Sequence, residues 1–499
     1  MDSTNWQPAR LIPTGGISGP DEQETRATSS LLAVLTAVRE FGSALVKSVG
    51  GPGGTIETFI EVPFKLADGR AVRPDGVIRS SRGTRAWTCL VEVKTGNSSL
   101  VKDQIEAYLD LAKECKFDAV LTISNELTPA AGVHPVDVDK RKIRTVGLHH
   151  RSWTELLSAA TIQRVHAGVS DPDQAWILGE LIRYLEHPKS GAFDFQDMGP
   201  DWVAVREAIA AGTLRPSDKG ISSVVSRWDQ LLRFAALRLE RELGSGVQPM
   251  MSRKEAADPS VRLQSHRDTL LSRGTLEGTI RIPSTVGDLN IEADLRTSRV
   301  TISVEIAAPG DGRALTRINW LLRQLQSAPD SARVDAFSHM SRTSMSELLK
   351  VIRLDPALLM ADAKADIRKF KIAAPAPLGI KRGIGRGSFI DTVLAAIDGF
   401  YGSVLQGIRP WVAKPPQLPK AGTAVEAAGV DIRVSAEDIA ELRASGEVIE
   451  TSLDSKDSVA VGVMAPPSVG GRVDLEVPLI SWDEQLDDLQ EERMIEQTR

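Results

Sequence analysis

Between Ala86 and Lys94 the chain reads Ala-Trp-Thr-Cys-Leu-Val-Glu-Val-Lys, an apolar run broken by two charges two positions apart. Leu90, Val91 and Val93 point to both sides of an extended backbone, as in the buried central strand of a sheet. Glu92 and Lys94 then share one face, because side chains alternate along a strand. A carboxylate and an ammonium in such a strand cost free energy unless each has a partner. This segment needs a sheet on both its edges and a polar site at its end.

The flanking sequence supplies both. Residues 1–24 read as a flexible leader, and 26–48 as one amphipathic helix carrying Leu31, Val34, Leu35, Val38, Phe41 and Leu45. Thr55–Phe64 alternates as a first strand, Ala71–Arg79 is a second, and Gly83 marks the turn into Ala86–Lys94. A helix over about Ser99–Glu114, with Asn97, Ser98 and Ser99 available as caps, leads to a short buried strand at Ala119–Ser124. A further strand at Thr145–His149 and a helix at Ser152–Ala160 follow. The order αβββαβ(β)α predicts an α/β domain with a mixed sheet flanked by helices over 25–165.

Beyond it, 166–265 reads as mainly helical and 266–414 as an α/β domain. The latter has helices at 312–328, 344–353 and 389–405, and a basic, Gly-rich segment. Residues 415–499 read as a Pro-rich linker and an acidic tail, with a candidate small domain at 429–480. Residues 421–499 carry six Lys+Arg against 18 Asp+Glu, while 1–420 carry 54 against 48, so the net charge of −6 conceals a mildly basic body. That excess is compatible with nucleic-acid binding without demanding it.

Asp75 lies in the preceding strand. If the hairpin is centred between Gly83 and Thr84, Asp75 stands opposite Glu92; a shift of one residue makes the two diagonal neighbours. Two carboxylates this close repel. Lys94 offsets part of the repulsion, and a divalent cation would offset the rest. Mg²⁺ prefers one or two carboxylates with waters and phosphate oxygens, and can lower the pKa of a bound water. Lys94 beside it could orient that water or neutralise developing charge. Gln104 and Tyr108 follow on one flank of the next helix, one turn apart.

The pattern Asp75 … Glu92-x-Lys94 … Gln104-x-x-x-Tyr108 resembles the PD-(D/E)XK nuclease superfamily, and its Gln-x-x-x-Tyr extension is similar to that of RecB-type exonucleases. The resemblance covers about residues 26–160. It implies a restriction-endonuclease-like fold and hydrolysis of nucleic-acid phosphodiesters with Mg²⁺ or Mn²⁺, DNA being favoured over RNA. It makes Asp75 and Glu92 metal ligands, Lys94 the catalytic lysine, and Gln104 and Tyr108 auxiliary residues. A helix-one Glu often completes such a site, which makes Glu40 the candidate third ligand, with Glu57 and Glu61 on the first strand as others. With only Cys89 and Cys115, no iron–sulfur cluster of the kind some RecB-type members carry is possible.

Two other readings stay open: a solvated sheet face with charges paired for solubility, and an inactive nuclease fold serving as a nucleic-acid-binding or protein-interaction scaffold. Lys381, Arg382 and Arg386, set among glycines, are candidate phosphate contacts, although a solvated loop is the plainer account. Asp294 and Glu305-Ile306-Ala307 echo the nuclease spacing with Ala in place of Lys, and fit an ordinary α/β unit better. None of the seven His shows metal-ligand spacing, and Trp153 and Trp176 sit at core-like helical positions. No window is apolar enough for a membrane span, so a cytoplasmic protein is expected, as a homo-oligomer or with a partner protein left open.

Overall fold

The computed structural model describes residues 7–8, 11, 20–128, 132–192, 194–339, 344–360 and 366–413. The expected linker, acidic tail and small domain at 429–480 lie outside the described residues. The chain is α/β, with a mixed sheet flanked by helices and a second, antiparallel sheet.

The first sheet is built from β1 (Gln7–Pro8), β2 (Thr55–Ile60), β5 (Gly76–Arg82), β6 (Arg85–Val93), β7 (Ala119–Ser124) and β8 (Gly147–Ser152), adjacent in that order. Between β2 and β5, a separate ribbon pairs β3 (Phe64–Lys65) with β4 (Ala71–Val72). The first four strands of the sheet run antiparallel, and β6, β7 and β8 run parallel. The switch from antiparallel to parallel needs a crossover, which α3 (Lys102–Cys115) provides between β6 and β7. Leu90 and Val77 face α3 and pack on its Ile105, Tyr108 and Leu109. Cys89, Val91 and Val93 face the other way, toward α1 (Pro20–Ala37), α2 (Arg39–Ser48), α4 (Trp153–Ile162) and α5 (Pro172–Glu186). Each buried Leu or Val contributes about 1.5–3 kcal/mol, enough together to hold a charged residue near the C-terminal end of β6.

Three expectations change here. The leader is partly built: Gln7–Pro8 pairs with Phe59–Ile60, and α1 already starts at Pro20. The single helix over 26–48 is two helices bent by 108°, because Val38 leaves the helical region at φ −105°, ψ 97°. The helix after β6 is capped by Val101 without a side-chain bond, not by Asn97, Ser98 or Ser99.

The rest of the described chain forms α6 (Trp202–Ala210), α7 (Gly220–Leu243), β9 (Gln248–Pro249), α8 (Arg253–Ala257), α9 (Pro259–Arg273), β10 (Thr275–Arg281), β11 (Leu289–Asp294), β12 (Arg299–Ala307), α10 (Ala314–Gln324), β13 (Arg333–Ser338), β14 (Ser344–Leu348), α11 (Leu349–Leu354), β15 (Ile367–Pro377) and α12 (Phe389–Ser403). The seven strands lie in the order β14-β13-β15-β12-β11-β10-β9, all antiparallel. One core holds Trp202 and Trp228 against Phe389, with the inward residues of β10, β11, β12 and β15. Ser344–Leu348, expected within a helix, is a strand opposite Arg333–Phe337. Asp294 and Glu305 sit at opposite ends of neighbouring strands: Asp294 caps the turn at Arg296 and Thr297, and Glu305 pairs with Lys369. Their echo of the nuclease spacing assembles nothing. Trp153 is buried, but Trp176 is 63% exposed. Among the described residues, no single helix is long and apolar enough to cross a membrane.

Candidate active site

The β5–β6 hairpin turns at Gly83-Thr84, with Gly83 at φ +60°, a conformation glycine adopts without strain. The ladder runs from Arg82 opposite Arg85 to Gly76 opposite Val91, which brings Asp75 opposite Glu92. This is the first of the two registers the sequence allowed. Asp75 does not fray away: its Oδ2 accepts a hydrogen bond from the Val93 amide at 2.7 Å. Gly76 permits this packing, since a Cβ there would come within 2.4 Å of Leu32 on α1.

Glu92 is fully buried. Among the described residues, neither of its oxygens receives an aligned hydrogen bond, and its one close cation is Lys94, whose Nζ lies 2.6 Å from Oε1. Lys94 Nζ reaches a second carboxylate, Glu24 Oε1 on α1, at 3.0 Å. The ammonium therefore bridges two acids. Burial works against the charged lysine, but the adjoining Glu92, Asp75 and Glu24 carboxylates outweigh it and hold its pKa above the ordinary value. Burial first, and then Glu92, pushes the Asp75 carboxyl up to about 8. Glu24 is also raised, chiefly by burial, despite Lys94 beside it.

Gln104 and Tyr108 meet as their spacing predicts, with Gln104 Nε2 2.9 Å from the Tyr108 hydroxyl. That hydroxyl leans toward the Arg73 carbonyl at 3.4 Å. Burial, and then the nearby Glu92 carboxylate, raises the Tyr108 pKa. The pair thus lies beside the buried Glu92 carboxylate.

Glu40 is not part of this group. It sits in the first turn of α2 and accepts the Ser170 amide at 3.0 Å, a bond that lowers its pKa. From Glu24, the site residue on α1, thirteen residues run to the helix end at Ala37, about 20 Å of helix, before α2 begins. The acid that helix one brings to the site is Glu24, the last residue of the expected leader. Pro20-Asp21-Glu22 was the available signal: proline in the first turn, followed by acids, marks a helix start. Glu57 pairs in register with Arg79, and Glu61, at φ +50°, lies 3.8 Å from Arg73 at the rim.

The polar row continues across the sheet. Glu92 is in register with Thr122 on β7, and Thr122 with His150 on β8. Thr122 Oγ1 lies 2.9 Å from both His150 Nδ1 and His134 Nε2. One arrangement links the row: His134 Nε2–H donates to Thr122, Thr122 donates to His150 Nδ1, and His150 Nε2–H donates to the Glu126 carbonyl at 2.9 Å, leaving the Val136 carbonyl, 3.0 Å from His134 Nδ1, without that proton. The Val136 amide then donates to His134 Nδ1 at 3.1 Å. Burial lowers His134 to about 4 and also lowers His150, so both rings are neutral at pH 7. Their convergence depends on strand register, which residue spacing alone does not reveal.

The donor set suits a hard divalent cation: buried carboxylates, with both oxygens of Glu92 lacking hydrogen bonds. Among the described residues, however, no three His, Cys, Asp or Glu side chains are drawn close enough to hold one. Lys94 Nζ lies where positive charge is needed, between Glu92 and Glu24.

The predicted phosphate contacts lie elsewhere, on a loop before α12. Its backbone closes on itself through Ile380 and Lys381 amides donating to the Gly387 carbonyl, both at 3.1 Å. Lys381, Arg382 and Arg386 are exposed, and Arg382 pairs with Asp197 at 3.0 Å. The site itself stands at the C-terminal end of β6, beside the ends of its parallel neighbours, where open α/β sheets place their ligands. Comparisons with family models, curated proteins and solved structures found no match to this chain.

Proposed function

We propose that this protein is a metal-dependent nuclease with a restriction-endonuclease-like core, hydrolysing nucleic-acid phosphodiesters, DNA in preference to RNA. The juxtaposition of Asp75, Glu92 and Lys94 at the end of one buried strand, backed by Gln104 and Tyr108, carries this reading. Asp75 and Glu92 would hold Mg²⁺ or Mn²⁺, with Glu24 rather than Glu40 in reach. When bound, such an ion activates water and stabilises charge on the phosphate.

The chain's own groups have distinct roles. The Val93 amide fixes one oxygen of Asp75 and leaves the other for the ion. Lys94 is held protonated, which suits it to stabilising the anionic phosphorane-like charge rather than to abstracting a proton. Tyr108 and Gln104 present a hydroxyl and an amide beside Glu92, where they can orient water or a phosphate oxygen. In the hydrolysis, water oxygen bonds to phosphorus, the bond to the departing sugar oxygen breaks, and that oxygen takes a proton.

The test is cleavage of plasmid and linear DNA, and of RNA, with Mg²⁺ or Mn²⁺, by wild type, Lys94→Ala and Asp75→Ala. Metal-dependent cleavage lost in both variants is expected. Cleavage that ignores the metal or the substitutions overturns the assignment. The bridging of Lys94 to both Glu92 and Glu24 favours one rival reading, a non-catalytic nucleic-acid-binding scaffold in which the ammonium permanently fills the cation's place. Unimpaired DNA binding with no cleavage by wild type would decide for it.

A further inference from the structure

The stretch that follows α5 ties the candidate site to the cationic loop. At one end, the Gly96 amide, two residues past Lys94, donates to the Gly191 carbonyl at 2.9 Å. Asn125 Nδ2 clamps the same point, donating to Gly96 O at 2.9 Å and Gly191 O at 2.8 Å. Gln23, next to Glu24, donates to the Lys189 carbonyl at 2.8 Å. At the other end, Asp197 pairs in register with Gly383, Ile384 N donates to Gln196 O at 3.1 Å, and Met198 N donates to Arg382 O at 3.0 Å. The loop and the site are thus fastened to one short piece of backbone.

Covalent geometry bounds their separation. Six residues from Gly191 to Asp197 span at most about 20 Å. Cations stand at both ends of this path, Lys189 exposed beside the site and Lys381 and Arg386 exposed on the loop, with one exposed acid, Asp194, between them. Asp197 offsets Arg382, whereas neither Lys381 nor Arg386 forms an ion pair among the described residues. Glycines at 383, 385 and 387 leave the loop backbone open to close approach.

We propose that residues 189–192, 194–198 and 380–388 form one surface that tracks a nucleic-acid backbone away from the Asp75–Glu92–Lys94 centre. At the ~3.4 Å axial rise per nucleotide of one strand, that ceiling corresponds to about six nucleotides. A polynucleotide of that length or more reaches the loop from the centre, whereas a tetranucleotide held at the centre, about 14 Å long, stops short of the ceiling. This inference rests on the nuclease reading for its direction, but its binding arm can be tested separately.

The experiment compares wild type with Lys381→Glu/Arg386→Glu, and with the milder Lys381→Gln/Arg386→Gln, on single-stranded deoxyoligonucleotides of four and sixteen nucleotides. Affinity is read by fluorescence anisotropy across a salt series, and cleavage in parallel with Mn²⁺. The sixteen-mer should bind the charge-reversed variant at least tenfold more weakly, and its salt slope should fall by about 1.4, roughly 0.7 per lost phosphate contact on a single strand. Binding of the four-mer should not change. Equal losses on both lengths, or no loss on either, overturns the proposal. Length-dependent binding without cleavage by wild type leaves this surface standing and removes the nuclease. Cleavage of both lengths, indifferent to the loop variants, does the reverse.

Discussion

Glu92 and Thr122 are Cα partners on adjacent parallel strands, one row deep in the sheet, and neither is accessible to solvent. Through that pairing the acid-and-lysine end of β6 continues into the neutral His150–Thr122–His134 chain. The two halves of the row carry opposite costs, and the following predictions separate them.

Replacing Lys94 by Met removes the cation between Glu92 and Glu24 while keeping the bulk. Breaking a buried pair from one side costs about 3–5 kcal/mol. Denaturant unfolding at pH 7 should show a loss in that range, restored in large part by Glu92→Gln in the same chain. Millimolar Mg²⁺ or Mn²⁺ should stabilise Lys94→Met more than wild type, because the ammonium no longer competes. A single variant as stable as wild type would mean that Glu92 is compensated by something else.

Asp75 gives a pH signature with a definite sign. Its folded pKa is raised, to about 8, above the ordinary 3.8. The unfolded chain therefore releases this proton first, and the contribution of Asp75 to stability is present below about pH 4 and lost as pH climbs toward 8. Asp75→Asn should flatten that fall, so the variant gains on wild type between pH 5 and 8.5. Metal affinity, measured by calorimetry, should run the other way and tighten over the same range, since ligands must be deprotonated. A metal affinity independent of pH would separate Asp75 from the ion.

His134 has the opposite sign. Burial depresses it to about 4 from 6.5, so its contribution is present above pH 6.5 and lost as pH falls toward 4. The loss between pH 7 and 5 is of order 1–2 kcal/mol. His134→Gln, which can still bond Thr122, should remove that acid-side slope when its unfolding curve is compared with wild type at each pH. Thr122→Val strands two imidazoles at once and should cost about 1–3 kcal/mol at pH 7.

Gly76→Ala tests the packing behind the site. The added methyl would meet Leu32 at 2.4 Å, so α1 or β5 must move. A cost of about 1–3 kcal/mol is expected from overpacking. Because α1 carries Glu24 and β5 ends at Asp75, any nuclease activity should fall further than stability alone explains. Activity that survives while stability drops would show that the site tolerates this shift.

Much of this arrangement was legible in the residues, for reasons that can be named. Gly83-Thr84 is a two-residue turn, and its position fixes the parity of both strands, so the facing of Asp75 and Glu92 could be read in advance. Gln104 and Tyr108 are one helical turn apart, a spacing that survives errors in the helix ends. What escaped was long-range. Val38 fits the apolar stripe of a continuous helix, and only the packing of α1 and α2 forces it out of the helical region. Glu24 was hidden by the Gly/Pro-bearing sequence before it, although Pro20 and its acids marked the start. Thr122, His134 and His150 are distant in sequence and meet only once the parallel register is set. Ser344–Leu348 is short and mixed in character, and its neighbour β13 decides its conformation.

The tight reversal at Gly83-Thr84 also sets how the two acids face each other. A slip of the pairing by one residue along β5 would turn that strand's side chains to the opposite face. Asp75 would then look across to the helix-one side while Glu92 stayed beneath α3. The tip can vary its sequence, but any change there that shifts the ladder dismantles the acid pair at the far end of the hairpin.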